Sequence, residues 1–148
     1  SPPIELEQTT SYRALDAFRL FANRYPYSER IPEVNQYMDE LRFKIEQKDI
    51  RQAKLWHQIR DYQAAVWAIT TILEKYPLNS QEEELRYILL ESQYEIAEKS
   101  IEAKKLQRYN ETVQYYKEFE TKFPESELMP KANSIFKNTL KELEKIQN

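Results

Sequence analysis

His57 is the only histidine in the 148 residues, and Asp61 follows it by four. On a helix that spacing puts an imidazole and a carboxylate on one face, within reach of one cation. A metal site needs a third and a fourth ligand, and none is recognisable here. The chain has no cysteine, which excludes thiolate ligands, a thiol nucleophile and disulfides. His57 is therefore expected to be a half-buried structural histidine near a helix end. No Ser, His and Asp arrangement can be singled out either. We expect no catalytic residue, no cofactor and no metal.

Glycine is absent as well. Phosphate-cradling loops, dinucleotide fingerprints and nucleophile elbows need glycine where backbone approaches a ligand or takes positive φ. Their usual forms are excluded. What remains is recognition by surface side chains. Tyr87, Leu90 and Tyr94 form one helical stripe, rotated away from a second stripe of Leu85, Ile88 and Leu89. Two apolar faces suit a helix packed between neighbours, and tyrosine also suits a protein interface. Lys99, Lys104, Lys105 and Arg108 make the densest basic cluster, with Glu98 and Glu102 among them. Near the end of a helix such cations complement its dipole, and Glu95 with Lys99 has ion-pair spacing. The cluster is thus expected as a solvated face, or as a docking patch for acidic residues. The candidate protein-binding residues are Tyr87, Tyr94, Lys99, Lys104, Lys105 and Arg108.

The net charge is −3 and the two signs are interspersed, so no nucleic-acid footprint is present. A hydrophobic fraction of 41% is too high for disorder. No apolar run approaches the ~20 residues of a membrane helix, and no signal-peptide pattern opens the chain. A soluble fragment or mature domain is expected.

The elements that position these residues repeat. Tyr25-Pro26, Tyr76-Pro77 and Phe123-Pro124 align three segments without gaps. Eight positions before each proline stand Phe18, Ile69 and Tyr116, and five before stand Phe21, Ile72 and Phe119. Ala14, Ala65 and Thr112 with Leu15, Val66 and Val113 complete the face. Each proline then stops its helix. A second helix follows each time, carrying Val34, Tyr37, Met38, Leu41 and Ile45, or Leu85, Ile88, Leu89 and Ile96, or Ala132, Ile135, Phe136, Leu140 and Leu143. "PYSERIP" and "PESELMP" end one helix and begin the next, with Pro32 and Pro130 at first-turn positions. In the middle unit Ser80 and Glu83 predict a capping box. The pattern predicts six helices over about 10–25, 33–60, 62–76, 81–106, 109–123 and 128–146. Units spaced by 51 and 47 residues predict an all-α solenoid of helical hairpins. The expected organisation is a single array over 1–148, with units at about 1–30, 31–79 and 80–126 and a C-terminal helix at 127–148.

Ala14, Phe18 and Pro26, like Ala65, Ile69 and Pro77, have the spacing of the second helix of a tetratricopeptide (TPR) repeat. Tyr62 and Tyr109 stand where that repeat commonly has tyrosine, while its usual glycines are missing. A more specific resemblance runs along almost the whole chain. Ser1-Pro2, Leu6-Glu7-Gln8-Thr9, Ala14, Phe18, Phe21, Tyr25-Pro26 and Ser28 resemble the middle of the BamD (YfiO) outer-membrane assembly lipoprotein family. Asp61 to Pro77 resembles that family's next helix. Ala97, Ser100, Lys104, Lys105, Arg108 and Thr112 resemble its Bacteroidetes-type members. The resemblance implies a TPR-like, non-enzymatic scaffold, corresponding to the C-terminal part of such a protein. It implies a place on the periplasmic face of the outer membrane, held by an N-terminal lipid anchor outside this chain. The implied partners are the POTRA domains of BamA and accessory lipoproteins, with client recognition in repeats that precede Ser1. Another periplasmic TPR adaptor, resembling the envelope coordinator YbgF, is the alternative.

Overall fold

A computed structural model describes residues 4–147; Ser1 and Pro2 lie outside the described residues, as do the side chains of Leu6, Glu7 and Gln8. Six helices make up the secondary structure of the described residues: α1 Ile4–Arg24, α2 Ile31–Gln58, α3 Tyr62–Lys75, α4 Glu82–Glu98, α5 Glu102–Lys122 and α6 Met129–Gln147. The all-α expectation holds. The chain forms two compact units, Ser1–Asp49 and Ile50–Asn148.

The first unit is held by Leu15 of α1 against Val34, Met38 and Ile45 of α2, with Phe18, Phe21 and Leu41 packed beside them. Phe18 stacks on Tyr37 at 5.6 Å, which leaves the tyrosine's outer part in solvent. In the second unit Ile50 and Ala53 at the end of α2 meet Ile69 and Ile72 of α3 and Leu85, Ile88 and Leu89 of α4. The other side of α4 places Leu90 against Tyr116 and Phe119 of α5 and Ala132 of α6. Two turns further on, Ala97 meets Tyr109 and Leu143. Of the two readings of the Tyr87, Leu90 and Tyr94 stripe, the packing observed is the helix between neighbours.

The three turns share one hydrogen-bond design. Tyr25, Tyr76 and Phe123 each donate their backbone N–H to the carbonyl four residues back, at 2.7 to 2.9 Å. Two residues after each proline a short polar side chain accepts a backbone N–H two residues ahead. Ser28 Oγ takes that of Arg30 at 3.2 Å, Asn79 Oδ1 that of Gln81 at 2.9 Å, and Ser126 Oγ that of Leu128 at 3.0 Å. These side chains mimic a backbone turn and aim the next helix. Asn79 is therefore the counterpart of the two serines. The expected capping box at Ser80 and Glu83 does not form, because α4 starts at Glu82 with Gln81 as its cap residue. Pro32 and Pro130 each take the second position of their helices, as expected.

Two further expectations are corrected. Leu140 is 46% exposed, and Thr139 beside it is buried in its place. Threonine is tolerated there because its hydroxyl donates to the Ile135 carbonyl at 2.8 Å. The larger correction concerns the helix expected over 81–106 and the next over 109–123. The break falls earlier, at Lys99 to Ile101. The Ser100 hydroxyl donates back to the Ile96 carbonyl, and the Arg108 guanidinium donates to Ser100 Oγ. Ile101 is extended (φ −65°, ψ 151°) and begins α5. No proline or glycine marks this corner.

Candidate protein-docking surface

The corner at Ser100 changes the meaning of the basic cluster. Only Lys99 stands at the end of α4, where a cation complements the dipole. Lys104 and Lys105 lie near the start of α5, its positive end, so the expectation that they help to end a helix is wrong. Lys104 is exposed, and its ammonium has no polar partner among the described residues. Lys105 pairs with Glu102 at 3.4 Å, and its side chain is largely covered. Arg108 is half-buried behind Ser100. Lys99 pairs with Glu95 at 3.0 Å and stands 4.7 Å from the centre of the Tyr62 ring.

The tyrosines lie elsewhere. Tyr87 is half-buried with its ring edge-on to Phe119, and its hydroxyl donates to Glu91 Oε2 at 3.0 Å. Burial and then the Glu91 charge push its phenol well above the ordinary value. Tyr94 packs on Tyr109 with ring centres 6.4 Å apart, and burial followed by a hydrogen bond to Glu98 raises its phenol too. Both phenols are therefore held neutral, in positions that tie α4 to α5.

His57 has a partner that spacing alone could not show. Its Nε2 lies 2.7 Å from Glu91 Oε1, so Glu91 is shared between His57 and Tyr87. Asp61 does not face a common ligand with it; it caps α3 by accepting the Ala64 N–H at 3.1 Å. One turn before His57, Lys54 reaches Glu84 at 2.9 Å and also donates to Gln81. This row of polar contacts fixes the end of α2 on α4. Among the described residues no group of three or more metal-ligating side chains gathers around a common point. No helix of the described residues is long and apolar enough to cross a membrane.

Lys99 and Arg108 do come together. With Arg60, Asp61, Tyr62 and Glu95 they line an open cleft of about 250 Å³, between the α2–α3 turn and the corner at Ser100. Arg60 has φ 65°, in the left-handed region. It sits between two bonds that close the end of α2: its own N–H to the His57 carbonyl at 3.0 Å, and the Asp61 N–H to the Trp56 carbonyl at 2.9 Å. This is the Schellman arrangement, which ordinarily places glycine at that position. Arg60 and Tyr62 were not among the candidates. The signal available was an arginine one residue ahead of an aspartate, at the last position of the helix expected over 33–60 in a glycine-free chain.

Antiparallel-compatible hairpins, aromatic-Pro helix ends and stripes spaced by three and four define a TPR-like helical protein. A family model described as YfiO, outer membrane lipoprotein, matches residues 3–108, and the chain belongs to that family. The match spans α1 to α4 and the first turns of α5, so it includes the cleft and all six candidate residues. No curated protein matches the chain.

Proposed function

We propose that the chain is a non-enzymatic docking scaffold in the assembly of outer-membrane β-barrel proteins. In this reading it engages the POTRA domains of BamA and accessory lipoproteins, from the periplasmic face of the membrane, through an N-terminal lipid anchor. The observation that carries the proposal is membership of the YfiO outer membrane lipoprotein family across α1 to α4. The character of the side chains supports it. Apart from the Lys104 and Arg60 side chains, the polar groups described above are engaged in caps, turns and ion pairs that hold helices together. What the helices offer outward is charge and apolar surface, including Trp67 at 72% exposure. Affinity on such a scaffold comes from a few anchor residues rather than from total area. We further propose that the repeat units at about 1–30, 31–79 and 80–126, with the helix at 127–148, act as one array, since their three turns share one design.

The test is a calorimetric titration of the chain with the POTRA domains of BamA from the same organism. Saturable one-to-one binding is the expected result. Absence of heat, together with absence of binding by a second method, would overturn the docking reading for this chain.

A further inference from the structure

We propose that the cleft beside Arg60 receives a carboxylate side chain of the protein partner, held between the guanidinium groups of Arg60 and Arg108. The inference deepens the docking reading above and rests on it for the identity of the partner.

Three observations carry it. First, the cleft's charges are unequally matched. Its cations are Arg60, Lys99 and Arg108 and its anions Asp61 and Glu95, which leaves one net positive charge. Lys99 is already neutralised by Glu95, and its ammonium lies over the Tyr62 ring. Arg108 donates to a hydroxyl, Ser100 Oγ, and forms no ion pair among the described residues. Arg60 is exposed, and its guanidinium has neither a hydrogen-bond nor an ion-pair partner among the described residues. Both arginines thus line one cleft, and neither guanidinium is paired with a carboxylate among the described residues.

Second, Arg60 stands where the backbone favours glycine. A side chain at positive φ raises the energy of the fold and forms no contact within it that compensates. A contact made outside the chain gives that side chain a use. Third, the geometry selects the ligand. Guanidinium groups bind carboxylates through paired, charge-assisted hydrogen bonds, and one net positive charge matches a monoanion. A phosphate dianion exceeds that single positive charge, and Asp61 and Glu95 repel it more strongly than they repel a monoanion. The favoured occupant is therefore a glutamate or aspartate of an acidic protein segment.

The experiment titrates the chain with a labelled hexaglutamate peptide at low ionic strength, beside Arg60→Gly, Arg108→Gln and inorganic phosphate as competitor. The expected result is saturable binding by the parent chain, weakened roughly tenfold or more in each variant. Binding should fall with salt and resist millimolar phosphate. Arg60→Gly is the decisive variant because it preserves the turn. Hexaglutamate binding unchanged in Arg60→Gly, or displaced by phosphate, overturns the proposal. The POTRA titration separates the two readings. If the parent chain binds POTRA domains and Arg60→Gly binds them equally, the cleft proposal fails and docking stands. If the parent chain ignores POTRA domains yet loses hexaglutamate binding in both variants, the cleft stands and the partner assignment fails.

Discussion

Replacing Arg60 by glycine should make the protein more stable. At φ 65° the Cβ of an L-residue crowds its own backbone, at about 1–2 kcal/mol relative to glycine. Against that stands the greater freedom of glycine in the unfolded chain, which removes about 0.4–1 kcal/mol. The arginine side chain is exposed and unpaired among the described residues, so its removal subtracts little else. The two hydrogen bonds that close α2 involve only backbone atoms and survive the change. The net expectation is a gain of roughly 0.5–1 kcal/mol. For a chain of this size that corresponds to about 2–4 °C in Tm per kcal/mol. Circular dichroism melts and urea unfolding, run side by side, would measure it. Arg60→Ala separates backbone from side chain, since alanine keeps the Cβ and should gain nothing. A glycine variant no more stable than the alanine variant would refute the strain argument. It would equally remove one of the three supports for the carboxylate cleft.

Three further outcomes follow from the same structure. Asn79→Ala should destabilise by about 1 kcal/mol, through loss of its bonds to the Tyr76 carbonyl and the Gln81 N–H; Asn79→Ser should recover most of this in urea titrations, because Ser28 and Ser126 do the same work. Ser92→Ala should be neutral or stabilising by up to roughly 1 kcal/mol in the same assay, since Ser92 Oγ is buried without a hydrogen-bond partner among the described residues. Burial pushes the Glu82 carboxyl up, but hydrogen bonds from Arg86 and Lys122 outweigh it and hold the group below its ordinary value of 4.5. A lowered folded-state value means stability fully present above pH 4.5 and lost as the pH falls through the lowered value. Glu82→Gln should flatten that acid limb, at a cost of about 1–2 kcal/mol near neutral pH. A Glu82→Gln variant with the parent's acid limb would show that the α4–α5 ion pairs are not its source.

Much of the fold was legible because its determinants are local. Proline two residues ahead of a short polar side chain needs no tertiary information to stop and redirect a helix. The apolar stripes likewise follow from spacing within one helix. The middle turn is misleading because Ser80, three residues before Glu83, has the sequence of a capping box, while Asn79 accepts the Gln81 N–H and shapes the turn. The corner at Ser100 was illegible for a different reason. It depends on a guanidinium eight residues along the chain that donates to the serine, and nothing in Lys99-Ser100-Ile101 alone interrupts the helical pattern. Thr139 and Leu140 show the same limit: periodicity favours the leucine, yet the threonine is the residue that is buried.

That corner decides what the candidate residues can do together. Had α4 run on to residue 106, Lys99, Lys104 and Lys105 would have shared one continuous helix with Tyr94. Instead α5 begins at Glu102, and the six candidates separate into three groups with different physical roles. Tyr87 and Tyr94 are half-buried beside α5, with neutral hydroxyls on Glu91 and Glu98. Lys104 and Lys105 sit at the start of a helix, where their charge is unfavourable to the dipole and must be balanced from outside or by Glu102. Lys99 and Arg108 meet at the cleft that holds Arg60. The proposed recognition site therefore lies beside two chain reversals, a left-handed turn and a serine-held corner. Binding that depends on Arg60 and Arg108 while tolerating Lys104→Ala is the pattern this arrangement requires, and the POTRA titration measures it directly.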